Sequence, residues 1–139
     1  MVNKVTLIGR LGRDPELRRL PSGAAVAKLR IATSERYRDG AGAWREETEW
    51  HDVTLWRAMA ERAERQLRAG MLIYVEGKLS YKTYEDREGR QQRRPEVVAA
   101  ALRLLDRGES TVPVPVAPPL SKPGEGSEAL SAFLGGDED

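Results

Sequence analysis

The chain of 139 residues contains no cysteine, one histidine and one phenylalanine. Without cysteine, a disulfide framework, a zinc–thiolate site and a cysteine nucleophile are all excluded. No apolar run reaches the roughly 18 residues that a membrane-spanning helix needs. The first five residues lead directly into a strand-like alternation and show no signal or transit peptide. We therefore expect an intracellular, cytoplasmic protein that does not enter a membrane.

The residue patterns of catalytic sites are also missing. The one histidine, His51, falls on the inner face of a predicted strand, where a structural role is the usual one. No glycine-rich phosphate loop ends in Lys-Ser or Lys-Thr. The acids among residues 46–49 follow an exposed loop, which is typical of a solvated run rather than a metal site. Three serines show no triad spacing to a histidine or an acid: Ser22, Ser34 and Ser80. We predict no catalytic residue, cofactor or metal, and therefore no enzyme.

The charge of the chain is divided unevenly along its length. Residues 1–108 carry 22 basic and 16 acidic side chains, whereas residues 109–139 carry one lysine and six acids. We predict one folded domain over residues 1–108, long enough for one modest core. Five of the eight prolines lie in residues 109–139, which predicts a disordered acidic tail. Its end is either a docking peptide or an inert solubilising tail, formed by Phe133, Leu134, Asp137, Glu138 and Asp139.

Hydrophobic alternation and turn residues predict an all-β domain with five strands and one helix. Turn signals separate the strands, including 21–23 and 86–89, and Gly70 is placed to end a helix over residues 57–69. The predicted strands begin at residue 5, cover 27–33, contain 48–56, run from about 72 to 84, and include 97–104. Closely spaced strands with one short helix after the third favour a five-stranded Greek-key barrel of the OB type.

Two tryptophans fall on the polar side of the third predicted strand. Because side chains alternate along a strand, Val53 and Leu55 share the core face with His51, and Trp50 and Trp56 share the other face. Large rings displayed beside polar groups are typical of a binding surface, and flat rings suit nucleobases. The alternative is that one ring packs under a loop or in a subunit contact.

Further aromatic and basic residues accompany this pair. Tyr37 and Trp44 flank a basic loop, and Tyr84 shares its strand face with two lysines, whereas Tyr81 has the opposite parity and is predicted in the core or an interface. Rings for stacking and cations for phosphates together favour single-stranded nucleic acid, held without sequence readout. The candidate phosphate contacts are Arg10, Lys28, Arg30, Arg36, Arg38, Arg57, Lys78, Lys82, Arg90, Arg93 and Arg94.

Five motifs resemble the bacterial single-stranded DNA-binding protein family. They are residues 3–16 (NKVTLIGRLGRDPE), 32–35 (ATSE), 48–51 (TEWH), 74–79 (YVEGKL) and 95–98 (PEVV). Motifs of this length, in this order, are specific, and the resemblance spans about residues 1–106.

The resemblance implies an OB-fold core, a homotetramer and single-stranded DNA wrapped on stacking aromatic rings. It also implies a nucleoid-associated protein of DNA replication, recombination and repair. The family's principal stacking positions correspond here to Tyr37, Trp50, Trp56 and Tyr84, with Trp44 a possible addition specific to this chain. The resemblance places His51 at a subunit contact.

The end of the chain departs from the family pattern. Family members usually close with Ile-Pro-Phe after an acidic tip and recruit replication and repair proteins there, but this chain stops at Asp137-Glu138-Asp139. Recruitment would have to use Phe133 and Leu134 in a rearranged form. Three other functions remain open: a primosome-type OB-fold adaptor for protein contacts, a nuclease or RNA-processing enzyme, which would need acids or a base that the sequence does not show, and a cold-shock-like RNA binder.

Overall fold

The computed structural model describes residues 1–107 as six strands and one helix. The strands are β1 (Val5–Leu11), β2 (Glu16–Arg19), β3 (Ala25–Arg38), β4 (Trp44–Trp56), β5 (Leu72–Glu85) and β6 (Gln91–Asp106). The helix α1 (Arg57–Gln66) follows β4. The predicted tail of residues 109–139 lies outside the described residues, and so do its docking residues Phe133, Leu134, Asp137, Glu138 and Asp139.

Five of the strands close into a barrel. The hydrogen-bonded order is β1-β5-β6-β4-β3, and β3 pairs back onto β1 through Arg10 with Ala32 and Leu11 with Ile31. The pairing of β4 with β6 is parallel, and the other pairings are antiparallel. A five-stranded closed barrel with one helix before its last two strands has OB-fold architecture. The predicted fold class is confirmed.

The core lies inside this barrel and follows the predicted alternation. Val53 and Leu55 of β4 are fully buried, as the sequence pattern indicates. Burial of one such side chain contributes about 1.5–3 kcal/mol, so this shared face fixes the register of the strands. The other fully buried large side chains are Leu11, Val26, Leu29, Ile31, Leu67, Ile73 and Val75.

Two glycines allow strands to approach closely where the barrel bends. A Cβ atom on Gly9 would collide with the backbone oxygen of Ala32, where β1 meets β3. A Cβ atom on Gly77 would collide with the backbone oxygen of Val98. Beside Gly77 the register with β6 shifts, which leaves Ala100 as an extra residue in that strand. Glycine at both positions is therefore required by packing rather than by an unusual φ angle.

The sequence prediction differs from the structure at two elements. The short strand β2 pairs with the start of β3 in a segment that turn signals assigned to a loop. The four residues of β2 lie between Pro15 and Pro21, and they are too few for their alternation to outweigh the turn signals on both sides. The helix ends at Gln66 because Leu67 has an extended backbone and enters the core. Gly70, which was expected to end the helix, has φ 93° in the following turn, where its N–H donates to Leu11.

Two long hairpins, β3–β4 and β5–β6, extend beyond the barrel, and an aspartate organises each turn. Asp39 accepts hydrogen bonds from the backbone N–H groups of Ala41 and Ala43, both at 2.9 Å. Asp86 accepts from the backbone N–H groups of Glu88 at 3.0 Å and Arg90 at 2.8 Å. The predicted turn at residues 86–89 is therefore confirmed, with the aspartate side chain as its physical cause.

Candidate nucleic-acid interface

Three tryptophans lie on one side of β4. Trp44, Trp50 and Trp56 are spaced by six residues, so the period of two places all three on the same face. Their partners on β3 are Arg38, Ala32 and Val26. We call the even-numbered residues 28–38 of β3 and 44–56 of β4 the tryptophan face. At about 3.4 Å per residue, its outer rings are on the order of 40 Å apart along the strand.

Cations from β3 stand beside two of these rings. The guanidinium carbon of Arg30 lies 5.8 Å from the centre of the Trp50 ring. Those of Arg36 and Arg38 lie 5.9 Å and 5.3 Å from the ring of Trp44. Such cation–π contacts hold positive charge next to a surface on which a flat ligand could stack.

The β5–β6 hairpin folds against the tryptophan face and makes a groove. Thr54 donates from its hydroxyl to the Oε2 atom of Glu96 at 2.9 Å, which ties the hairpin to β4. Beside the groove, Tyr84 accepts a 3.4 Å hydrogen bond from Arg94, whose guanidinium carbon lies 5.1 Å from the tyrosine ring. A cavity of about 370 Å³ between the two walls is lined by Arg30, Trp50, His51, Asp52, Leu79, Arg94, Pro95, Glu96 and Val97.

A buried ion pair forms part of the floor of this groove. The Nζ atom of Lys82 lies 3.5 Å from Oε1 of Glu96, and the two residues are only 8% and 5% exposed. The sequence pattern proposed Lys82 as a phosphate contact. In this structure its charge is instead held below the surface by Glu96, which argues for a structural role.

The exposed part of the groove also contains an acid. Asp52 stands directly opposite Arg30, and Oδ1 of the carboxylate lies 3.2 Å from Nε of the guanidinium. Nearby, burial lowers the pKa of Lys28 below its ordinary value, while the charges of Asp52 and Glu96 act in the opposite direction. The groove therefore carries mixed charge rather than a continuous basic surface.

A sequence profile described as the "Single-strand binding protein family" matches residues 2–105, which include every strand of the barrel apart from the last residue of β6. The chain belongs to this family. Two curated relatives, each named "Single-stranded DNA-binding protein", are from Neisseria meningitidis serogroup A and serogroup B. Each is 43% identical over 104 residues, or 75% of this chain. The chain spans 60% of the length of each.

Solved structures of similar proteins have the same fold. The Plasmodium falciparum SSB in its complex with ssDNA has a TM-score of 0.71 and 28% identity over 76% of this chain and 97% of that one. A deletion mutant of the Thermus aquaticus single-stranded DNA binding protein has a TM-score of 0.67 and 33% identity, covering 76% of this chain and 51% of that one.

In this family member, the predicted stacking residues are divided between two faces. Trp50 lines the groove, and Tyr84 contacts Arg94, which lines the groove from the β5–β6 hairpin. Tyr37 is 46% exposed, but it pairs with Arg45 on the side of the β3–β4 hairpin away from the tryptophans. Trp44, which sequence reasoning held least firmly, is 61% exposed on the tryptophan face.

Trp56 has a second role in packing. Its partly buried ring contacts Leu20 and Val26, so the structure favours in part the interpretation of a ring packed under a loop. The next residue, Arg57, is exposed with φ 55°, in the left-handed region that a non-glycine side chain seldom adopts. Trp56 therefore connects the tryptophan face to the barrel as well as displaying one edge of its ring.

The remaining predicted phosphate contacts differ in whether their charged groups already contact other residues of the chain. Arg10 donates to the backbone oxygen of Gly70 at 3.0 Å and lies 3.6 Å from Asp106, so it is engaged at the end of the barrel. Arg93 stacks on Tyr81 at 4.8 Å, on the side of the β5–β6 hairpin opposite Tyr84. Lys78 and Arg90 are exposed on the same hairpin, the latter 3.8 Å from the carboxylate of Glu88.

His51 and Tyr81 bear on subunit contacts. The Nε2 atom of His51 lies 2.7 Å from the hydroxyl of Thr33, at the mouth of the barrel. Tyr81 is 50% exposed and therefore lies outside the core of this chain. Of the two positions predicted for it, core or interface, only the interface remains. Apolar side chains are also exposed on other outer surfaces, at Ile8, Leu104 and Leu105, whereas the exposed Leu79 lines the groove.

Residues 1–107 contain no group of three or more His, Asp or Glu side chains arranged to hold a metal ion. Within the same range, no helix is long and apolar enough to cross a bilayer.

Sequence reasoning gave the acids of the groove no role in the site. The strand alternation does place Asp52 on the face of Trp50, and the structure confirms it opposite Arg30. Glu96 gave no such signal, because its contact with Thr54 joins residues 42 positions apart.

Proposed function

We propose that this chain binds single-stranded DNA without reading its sequence. Bases stack on Trp50 and Tyr84 and on the exposed edge of Trp56, and phosphates contact the cations beside them. The groove between the tryptophan face and the β5–β6 hairpin is the observation that carries the proposal, because it places aromatic rings and guanidinium groups along one path. Stacking accepts any base, since every base has a π-face.

The chemistry of the surface favours single strands over a duplex. Reading a duplex in its major groove usually requires a helix or a β-ribbon that can enter it. The one helix among residues 1–107 packs Ala60 and Ala63 into the core, and Arg62 donates from its side chain to the backbone oxygen of Leu102. Glu61 of the same helix pairs with Arg19 at 2.9 Å. These contacts hold α1 against the barrel, so the helix is not free to enter the major groove of a duplex.

The cellular role we infer is that of a protein of DNA replication, recombination and repair. It protects exposed strands and removes hairpins by mass action, because a ligand that binds only the unpaired state shifts the pairing equilibrium. The support is the family and the relatives, one of whose structures is a complex with ssDNA. On the same support we propose that the protein acts in the cytoplasm, with the nucleoid, and that it is not an enzyme.

We further propose a homotetramer, with His51 at a subunit contact. The exposed apolar side chains Ile8, Leu104 and Leu105 would be covered in such an assembly. Sedimentation or light scattering should then report about four times the chain mass of 15.5 kDa. Replication and repair proteins would bind the tail through Phe133, Leu134 and the terminal acids.

The deciding experiment is a tryptophan-fluorescence titration with oligo-dT of several lengths at two salt concentrations. Trp50→Ala should weaken binding by about 1–3 kcal/mol, the usual value of one stacked base, because it removes the ring of the groove. Tyr81→Ala removes an exposed ring outside the groove and serves as the control. Equal affinity in the wild type and Trp50→Ala would contradict the stacking proposal. An RNA oligomer of the same sequence tests for the cold-shock-like alternative, and added Mg²⁺ should cause no strand cleavage.

A further inference from the structure

A lysine lies on the tryptophan face between two of its rings. Lys28 of β3 pairs with Thr54 of β4, and its position falls between the levels of Trp50 and Trp56. At about 3.4 Å per residue, Lys28 is about 7 Å along the strand from the level of Trp56 and about 14 Å from that of Trp50. A single strand whose bases stack on both rings therefore passes its sugars and phosphates over this side chain.

Lys28 differs chemically from the other polar residues between the two rings. Arg30 carries a guanidinium group, which stays protonated and is no nucleophile. The hydroxyl of Thr54 is buried and donates to Glu96. Asp52 is a carboxylate that lies 3.2 Å from Arg30. Lys28 therefore supplies the primary amine of this part of the face, the group that can form a carbon–nitrogen bond with an aldehyde.

The surroundings of Lys28 favour its neutral form. Its side chain is partly buried, and burial lowers its pKa below the ordinary 10.5, because the ammonium ion loses hydration. The carboxylates near it oppose this effect, and the cations of the β5–β6 hairpin add to it. The charged groups around it come from β2, β3, β4 and the hairpin, and they are Glu16, Arg30, Asp52, Lys82, Arg94 and Glu96. A partly desolvated lysine among other cations has the properties of an imine-forming amine.

The other lysines among residues 1–107 have different surroundings. Lys82 is buried in its ion pair. Lys78 is exposed on the β5–β6 hairpin. The side chain of Lys4, which precedes β1, is 58% exposed and lies 3.3 Å from the carboxylate of Glu76. Within the described part of the chain, Lys28 therefore combines partial burial with a position between two stacking rings.

We propose that this chain captures abasic sites in single-stranded DNA, through an imine between the Nζ atom of Lys28 and the aldehyde carbon of the ring-opened deoxyribose. An abasic nucleotide has no base to stack, but its neighbours stack on Trp50 and Trp56. This arrangement leaves the sugar over Lys28. The proposal rests on the proposed function of the groove.

The reaction needs no cofactor, oxidant or reductant. The lone pair of the neutral amine forms the carbon–nitrogen bond, and the carbonyl oxygen leaves as water with the two hydrogens of the amine. One chain captures one abasic site, so the reaction is stoichiometric and involves no turnover.

The test uses the full chain and oligo-dT with one central abasic site, made by removing a uracil base. Cyanoborohydride is added to reduce the imine to a stable secondary amine. The wild type should form one DNA–protein adduct on a denaturing gel, and mass spectrometry of its peptides should place the adduct on Lys28. A strand with a tetrahydrofuran analogue at the same position has no aldehyde and should give no adduct.

Two charge-conserving variants identify the amine. Lys28→Arg keeps a cation but has no imine-forming amine, so its adduct yield should fall by at least about 10-fold at a protein concentration that saturates the DNA. Lys4→Arg loses a lysine outside the tryptophan face and should keep the wild-type yield. Thermal unfolding shows whether each variant is folded, and the peptide map of the wild type decides the site without either variant.

The dependence on pH tests the environment of the amine. Nα-acetyl-lysine with the same abasic strand is the reference, because its amine is fully hydrated. The lower pKa of Lys28 leaves more of its amine neutral at neutral pH. The adduct rate of the protein relative to the reference should therefore be greatest near neutral pH and should decline towards pH 10.5, where the reference amine also loses its proton.

Three results would overturn the proposal. They are an adduct mapped to Met1 or another lysine, an equal yield in Lys28→Arg and the wild type, and no adduct with saturating wild-type protein. In each case, weaker binding of unmodified oligo-dT by Trp50→Ala would leave the proposed function of the groove intact. A wild type that binds neither strand would contradict both proposals.

Discussion

A carboxylate stands beside a guanidinium on the tryptophan face, where a phosphate backbone is expected to pass. Asp52 holds Arg30 across β3 and β4, and both side chains are about one quarter exposed. A phosphate must compete with this carboxylate for the arginine, and it is also repelled by it. In the proposed complex Asp52 would therefore limit the affinity of the groove for DNA, while its contact holds Arg30 beside the Trp50 ring.

Asp52→Asn should tighten binding of oligo-dT at low salt by about 1 kcal/mol, the order expected for one charge near a protein surface. The physical reason is that Arg30 becomes free for phosphate and one repulsive charge is removed. Fluorescence titration measures the change. Glu49→Gln removes the same unit charge from the opposite face of β4 and should have a smaller effect. Weaker binding by Asp52→Asn would mean that the carboxylate chiefly orients Arg30.

Lys82→Ala should destabilise the protein by about 3–5 kcal/mol, because it leaves the buried carboxylate of Glu96 without its cation. Urea unfolding measures this change. Lys78→Ala, an exposed lysine on the same hairpin, is the matched control and should change stability by less than about 0.5 kcal/mol. Unaltered stability in Lys82→Ala, together with a lower salt slope of DNA binding, would restore the sequence-based assignment of Lys82 as a phosphate contact.

At the scale of the elements, the junction between β4 and α1 is strained at one residue. Arg57 begins the helix in the left-handed region, with φ 55°. This conformation costs a non-glycine residue roughly 1–2 kcal/mol. The arginine at this position brings a positive charge next to Trp56, at the end of the tryptophan face.

Arg57→Gly should therefore raise the free energy of unfolding by about 1 kcal/mol relative to Arg57→Ala. Both variants lose the same charge, so the comparison isolates the backbone strain from any effect on DNA binding. Urea unfolding at equal protein concentration measures the difference. Equal stability of the two variants would show that the left-handed conformation has no cost at this junction.

The turns of the two hairpins should loosen in acid. Hydrogen bonds lower the pKa of Asp39, chiefly that from Arg45, and the pKa of Asp86, chiefly that from the backbone N–H of Arg90, below the ordinary value of 3.8. Because the folded pKa is the lower one, the ionised carboxylates stabilise the turns above pH 3.8. That stabilisation is lost as the pH falls through the folded values.

Carbon-detected NMR titration of the two carboxyl groups, with amide exchange at the turn residues, measures this effect. The protection factors of the amides of Ala41, Ala43, Glu88 and Arg90, which compare each exchange rate with the intrinsic rate at the same pH, should fall below pH 3.8, whereas those in β1 should not. Asp39→Asn retains an acceptor oxygen but has no titrating group. It should therefore abolish the acid-induced loss of protection in the β3–β4 turn and leave that in the β5–β6 turn unchanged. Midpoints at or above 3.8 for both aspartates would contradict the assigned hydrogen bonds.

At the scale of the whole molecule, the alternation of apolar and polar residues along the chain predicted much of the fold. The burial of Val53 and Leu55 and the turn at residues 86–89 follow from nearest neighbours along the chain, and so do the limits of β5 to within one residue. The motifs then supplied the family and the OB-fold. The short strand β2 could not be predicted, because its four residues gain their pairing from β3 rather than from their own pattern.

The candidate site was predicted in part for the same reason. The parity of Trp50 and Trp56 placed them on one face, and applying that parity to the β3–β4 hairpin separates Trp44 from Tyr37. The exposure of Trp44 and the packing of Trp56 on Leu20 could not be predicted from the sequence, because each depends on which other elements cover the ring in the folded protein.

The sequence by itself excluded cysteine chemistry, because the chain contains no cysteine. Its alternation along the strands also determined which face each side chain occupies, and so it placed tryptophans and arginines on one face. The tertiary structure decided which of those side chains remain free. It folded the β5–β6 hairpin onto β4, so that Lys82 and Glu96 became a buried pair and Asp52 and Arg30 came to line a cavity. Alternation is a property of neighbouring residues and can be read along the chain. Burial and ion pairing depend on segments about 40 residues apart, such as Thr54 and Glu96, and these meet only in the folded barrel.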